Sequence, residues 1–211
     1  AEIVVELHAA SIAPKAPALE APGAARRRQL VFNPRMPQAP SAPALAWLEP
    51  GEPFPPVAQA WGPDSPAPGL LAAGQQLDAP LLLQAYREGI FPWFSAGQPV
   101  LWWSPDPRMV LAPAEFRARR SLRQSLRQWL AREGVELVFD RDFEEVMTRC
   151  AHQPRPGQSG SWIVPSIVQA YSGLHRMGLA HSAELRQHGQ LLAGLYFVAL
   201  GQAVFGESMF T

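Results

Sequence analysis

The sequence predicts an α+β fold, and three features predict it. Residues 180–185 and 190–200 are strand-like runs on either side of His188-Gly189, a turn pair suited to an antiparallel hairpin. Between residues 114 and 132, Leu122, Leu126, Trp129 and Leu130 recur at helical spacing. Helical and strand-like stretches then alternate to the last residue, the pattern of helices packed on antiparallel strands.

Taken in order, residues 1–44 are rich in Ala and Pro, with Met36-Pro37-Gln38-Ala39-Pro40 as an example. Proline at this density removes backbone donors, so a disordered or polyproline-like extension is expected. Its Arg26-Arg27-Arg28 cluster reads as a solvated tail or as an RNA contact. Residues 45–135 are expected to form a small N-terminal α/β domain. In it, residues 81–88 predict a short helix stopped by Gly89, which accepts the left-handed C-terminal turn. Residues 108–111 predict a strand, and residues 114–132 a helix. A second domain is expected over residues 136–211. It holds a strand over 135–139, helices over 143–150 and 165–175, the hairpin, and a further strand over 202–205. Pro165 suits the first turn of its helix.

With 18 basic and 18 acidic residues the chain has no net charge, so a nucleic-acid site has to be a local patch. The patch is visible. Arg120, Arg123 and Arg127 recur at steps of three and four, which aligns them along one helix face. Such a stripe tracks phosphates or is simply a solvated face. One cysteine, Cys150, excludes an internal disulfide and reads as a packed thiol or a nucleophile. No apolar run is long enough to span a bilayer and no signal-like segment stands at the N-terminus, so a cytoplasmic protein without a membrane partner is expected. No zinc-ligand spacing, phosphate loop or nucleophile elbow occurs, and neither a metal nor another cofactor is expected.

Residues 89–108 crowd Trp93, Trp102 and Trp103 together with four prolines into a segment too irregular for one helix or one strand. Flat rings on a stiff backbone make a stacking platform for a base, or a packed core.

The words around that segment carry a resemblance. Leu70-Leu71-Ala72-Ala73-Gly74 leads through Ala85-Tyr86-Arg87 to Gly89-Ile90-Phe91-Pro92-Trp93-Phe94-Ser95 and Leu101-Trp102-Trp103-Ser104-Pro105-Asp106-Pro107-Arg108. Trp162-Ile163, Ala180-His181-Ser182 and Gly206-Glu207-Ser208-Met209-Phe210 follow. In order and spacing this series resembles the bacterial leucyl/phenylalanyl-tRNA–protein transferases from about residue 45 onward. The resemblance implies that residues 136–211 form part of an N-acetyltransferase-like (GNAT) domain, C-terminally truncated relative to the family.

It also implies a function: transfer of Leu or Phe, and less readily Met, from aminoacyl-tRNA to an N-terminal Arg or Lys of a protein, marking that protein for degradation. No cofactor is needed, because the ester bond already stores the driving force, and the enzyme is expected to act as a monomer. By the same resemblance Glu207 holds the amino group of the aminoacyl moiety or manages the proton of the attacking amine. Trp93 and Trp162 line the site of the terminal adenosine. Leu195, Val204 and Met209 begin the wall of the apolar side-chain pocket, and Arg120, Arg123 and Arg127 grip the tRNA backbone. Two alternatives stay open at this point: an acyltransferase using another activated donor, and a non-catalytic tRNA-binding fragment.

Overall fold

A computed structural model describes residues 4–7, 44–154 and 161–211, the first of these as backbone. Its strands and helices are β1 (Val4–Leu7), β2 (Ala46–Leu48), β3 (Leu70–Gly74), α1 (Ala79–Arg87), β4 (Phe91–Pro92), β5 (Val100–Trp103), β6 (Val110–Leu111), α2 (Arg120–Leu130), β7 (Val135–Phe139), α3 (Phe143–His152), α4 (Pro165–Arg176), β8 (Ala180–Gln187), β9 (Gln190–Leu200) and β10 (Ala203–Phe210). Four helices and two sheets, mostly antiparallel, make the α+β class.

The smaller sheet has the order β2-β3-β5-β4, with only the β2–β3 pair parallel. The segment expected to be an irregular platform therefore supplies two paired strands. Pro92 is tolerated because β4 is an edge strand, and Pro105 and Pro107 fall beyond the end of β5. Trp102 and Trp103 are core residues, and Phe54 packs edge-on against Trp102 at 4.9 Å. Of the three tryptophans only Trp93 is partly rather than fully buried.

The larger sheet has the order β6-β1-β10-β9-β8-β7. Along β8 burial alternates strictly, with Ala180, Ser182, Glu184 and Arg186 turned inward. Helices α3 and α4 contact this strand, burying Phe143, Val146, Met147 and Cys150 from one and Ile167, Ala170, Tyr171 and Leu174 from the other. The hairpin turn falls at His188-Gly189, with both residues at positive φ. Strand β1 lies in the Ala/Pro-rich region, at a Val-Val-Glu-Leu run without proline, and pairs in parallel with β10. The other residues of 1–43, with the Arg26-Arg27-Arg28 cluster, lie outside the described residues.

Helix α2 differs from expectation. Residues 113–115 form a 3-10 turn, Phe116 is extended, and the helix proper starts only at Arg120. Leu122 and Leu126 share a face as predicted, yet no α2 residue is buried and the two are 55% and 48% exposed. Periodicity dictates a face but not its partner.

One close approach positions the site. A Cβ on Gly173 of α4 would stand 2.7 Å from the Ala79 Cβ at the start of α1. Gly173→Ala is expected to destabilise the protein by about 1–3 kcal/mol, because overpacking outweighs the roughly 1 kcal/mol gain in helix propensity. Urea unfolding of this variant beside Gly173→Ala/Ala79→Gly checks it: the second change should restore most of the loss.

Candidate active site

The expected strand over residues 202–205 continues in the structure to Phe210, so Glu207 lies inside β10 rather than after it. It stands at a β-bulge, between Gly206 opposite Phe197 and Ser208 opposite Tyr196. Simple alternation would turn one of two successive residues to the other face, whereas the bulge buries both Glu207 and Ser208.

A buried carboxylate needs donors. The Tyr86 hydroxyl, from α1, donates to Glu207 Oε1 at 2.5 Å. The Tyr171 hydroxyl, from α4, lies 2.6 Å from the Tyr86 oxygen and 3.3 Å from Glu207 Oε2. Each hydroxyl has one proton. With the Tyr86 proton committed to Glu207 Oε1, the Tyr171 proton is placed between the Tyr86 oxygen and Glu207 Oε2, so both phenols converge on the carboxylate. Ring packing fixes the geometry: Tyr86 leans on Phe205 at 5.0 Å, and Tyr171 meets Tyr196 edge-on at 5.5 Å.

Burial first, and the Glu207 charge second, push both phenols well above their ordinary 10.0. They remain donors throughout the neutral range. Their folded pKa exceeds the unfolded one, so their contribution to stability is complete below pH 10 and fades as pH rises beyond it. Alkaline unfolding is expected to start above about pH 10 and to shift upward in Tyr171→Phe, which removes one such group. A CD-monitored pH titration checks this.

The other predicted residues sit as follows. Trp93 meets Trp103 edge-on at 5.5 Å, and Trp103 Nε1 donates to the Trp93 carbonyl at 2.7 Å. Trp162 is buried just before α4. The indole N–H groups of Trp93 and Trp162 are buried without a hydrogen-bond partner among the described residues. Leu195 stands opposite Met209 across β9 and β10, and Val204 opposite Ala199. These pairs alternate with Tyr196 and Phe205, which pack toward the helices, so Leu195 and Val204 occupy the other face of the sheet from the tyrosine cluster. Met209 is 59% exposed. Arg120, Arg123 and Arg127 are exposed along α2, with no ion pair among the described residues.

Sequence reasoning singled out Glu207 but neither of the two tyrosines that hydrogen-bond to it. Tyr86 was visible only as one word of a motif, and Tyr171 only as an apolar position on a helix. The available signal was a hydroxyl-bearing ring on the buried face of each helix. His181, readable as a hydrogen-bonded residue or as a base, has its Nδ1 2.8 Å from Asp140 Oδ2. No helix among the described residues is long and apolar enough to cross a membrane.

The sequence has named relatives. Residues 110–211 match the family model described as leucyl/phenylalanyl-tRNA protein transferase, and residues 75–106 match the model of that family's N-terminal domain. A protein of Polaromonas sp. (strain JS666) named leucyl/phenylalanyl-tRNA–protein transferase is 62% identical over 166 residues, which is 79% of this chain and 65% of that protein. Proteins of the same name from Albidiferax ferrireducens and Paraburkholderia phytofirmans are each 57% identical, over 80% and 79% of this chain and 66% and 68% of their own lengths. The chain thus spans about two thirds of the length of the relatives it matches.

Proposed function

This chain belongs to the leucyl/phenylalanyl-tRNA–protein transferase family, and from that premise we propose that it transfers Leu or Phe, and less readily Met, from aminoacyl-tRNA to a protein's N-terminal Arg or Lys. The observation carrying the proposal is the hydrogen-bonded cluster of Tyr171, Tyr86 and Glu207, which gathers two helices and a bulged strand around one buried carboxylate. Bulges gather next to active sites because they re-aim side chains.

In the reaction the acceptor amine attacks the ester carbonyl carbon. The amide C–N bond forms, the bond to the ribose oxygen breaks, and the amine proton ends on that oxygen. An activated ester needs orientation and proton handling more than a new source of energy. Glu207 accepts hydrogen bonds from the amino group of the aminoacyl moiety or from the attacking amine, and the two phenols hold its carboxylate in place. Trp93 and Trp162 flank the terminal adenosine. Arg120, Arg123 and Arg127 bind phosphates, whereas Leu195, Val204 and Met209 lie on the sheet face away from Glu207 and are not carried into the side-chain pocket. Residues 45–135 act as the RNA-facing domain and residues 136–211 as part of a GNAT-like acyltransferase domain, in a cytoplasmic protein that works as a monomer and targets its acceptors for degradation.

If Trp162 stacks on the base, Trp162→Ala costs about 1–3 kcal/mol of aminoacyl-tRNA binding, the usual range for aromatic–base stacking. Filter binding at fixed salt measures that loss. The function itself is tested by transfer of radiolabelled Leu from charged tRNA to a peptide beginning with Arg. Label in the peptide establishes it; tRNA bound without transfer assigns the chain to recognition alone.

A further inference from the structure

Helices α3 and α4 enclose a groove of about 670 Å³ that the site above does not use. Glu144, Thr148 and His152 line it from α3, and Gln169, Ser172 and Arg176 from α4. Ala151, Ile163, Pro165 and Val168 make its walls mostly apolar, and three observations single out the polar groups set among them. The Ser172 hydroxyl is buried, at 3% exposure, and has no hydrogen-bond partner among the described residues. His152 Nδ1 donates to the Thr148 carbonyl at 2.7 Å, which leaves Nε2 outside that bond. Glu144 and Arg176 form no ion pair among the described residues, whereas the neighbouring Glu145 is paired to both Arg149 and Arg186.

We propose that this groove holds the acceptor polypeptide downstream of its N-terminal residue. The inference rests on the transferase function proposed above. The two helices run past each other with His152 and Pro165 at one end and Glu144 and Arg176 at the other. Ser161 and Ile163, which flank Trp162, line the first end. From Glu144 to His152 the helix rises about 12 Å at 1.5 Å per residue, which accommodates roughly four extended residues of about 3.3 Å each. An extended peptide offers alternating N–H and C=O groups, and the hydroxyls and the Gln169 amide both donate and accept. The lone carboxylate and lone guanidinium at the far end suit side chains of either sign a few residues into the acceptor. A nucleic-acid strand fits less well, since one arginine faced by one glutamate leaves no positive excess for phosphates.

Fluorescence anisotropy of a C-terminally labelled octapeptide, beginning with Arg and carrying Lys at positions four to six, tests this without requiring turnover. Gln169→Trp and Thr148→Trp change exposed residues and fill the groove, and each is expected to raise Kd at least tenfold with unchanged thermal unfolding. Glu144→Lys should weaken the Lys peptide and strengthen its Asp counterpart. The proposal is overturned if the native chain does not bind the octapeptide or if the filled variants bind within twofold of it. It is equally overturned if they lose charged-tRNA binding and keep the peptide, which would assign the groove to RNA. Absence of transfer from the native chain to any acceptor would sink the transferase function, while the Kd series still decides the groove.

Discussion

Replacing Glu207 by Gln is expected to lower single-turnover transfer of Leu to an Arg-initiated peptide by about 10²- to 10⁴-fold, the range for losing a positioned proton-handling group. The substitution keeps the size and removes the charge, so Tyr86 loses a charge-assisted partner at 2.5 Å and one amide donor now faces two hydroxyls. Single turnover is the right measurement because it separates chemistry from product release. Tyr171→Phe provides the internal control. It removes the second, longer donor contact and leaves Tyr86 bonded to Glu207, so its effect should be much smaller, about tenfold or less if each hydrogen bond contributes the usual 0.5–1.5 kcal/mol. Equal losses in both variants, or transfer in Glu207→Gln within threefold of the native chain, would remove Glu207 from the proposed chemistry. The fold should tolerate Gln, and a near-unchanged melting temperature is the condition for interpreting the rates.

The sequence made the hairpin at His188-Gly189, the four helices and the carboxylate at 207 legible, because each has a local signature: a turn pair, a period, or a charge after an apolar run. What remained hidden was non-local. Tyr86 and Glu207 are 121 residues apart, and nothing in either neighbourhood specifies that α1 crosses α4 at Gly173 and Ala79. The bulge was equally invisible, since it appears only when Gly206 and Ser208 are paired with a second strand. Of the two readings open for the tryptophan-rich segment, the packed core holds for Trp102 and Trp103. Its prolines look disruptive, yet they sit on an edge strand and beyond a strand end, so Trp102 and Trp103 are free to enter the core. In α2 the Leu stripe was read correctly as a face, with nothing said of what covers it. A periodic pattern carries no information about what lies against it, and Leu122 and Leu126 remain half-exposed.

Glu184→Ala is expected to produce the largest loss of stability, about 3–5 kcal/mol, because it breaks a buried ion pair on one side only. Glu184 is fully buried. Its Oε1 accepts from the Ser182 hydroxyl at 2.9 Å and from the Asp142 amide at 2.8 Å, and its Oε2 accepts from Arg186 Nε at 2.7 Å. Removing the carboxylate leaves Arg186, itself 6% exposed, with only the longer 3.3 Å contact to Glu145 and the Gly189 carbonyl. Glu184→Leu/Arg186→Met should recover most of the loss, since a buried pair replaced by apolar groups of similar volume is often neutral. Burial pushes the Glu184 carboxyl up, but the Asp142 amide, Arg186 and Ser182 together hold it below its ordinary 4.5. A depressed folded pKa means that the stabilisation is complete above that value and is lost as pH falls through the folded one, so urea midpoints of the native chain should drop below about pH 4.5 more steeply than those of Glu184→Gln. The consequence reaches the site through packing. Glu184 anchors the residue that caps α3, the next residue, Phe143, meets Tyr196 edge-on at 6.1 Å, and Tyr196 supports Tyr171 at 5.5 Å. A variant destabilised at Glu184 should therefore lose transfer activity on warming before it unfolds globally, because Tyr171, one of the two phenols at Glu207, rests on this chain of contacts. Parallel scans of transfer rate and CD against temperature would show that gap, and coincident transitions would place Glu184 in global stability alone.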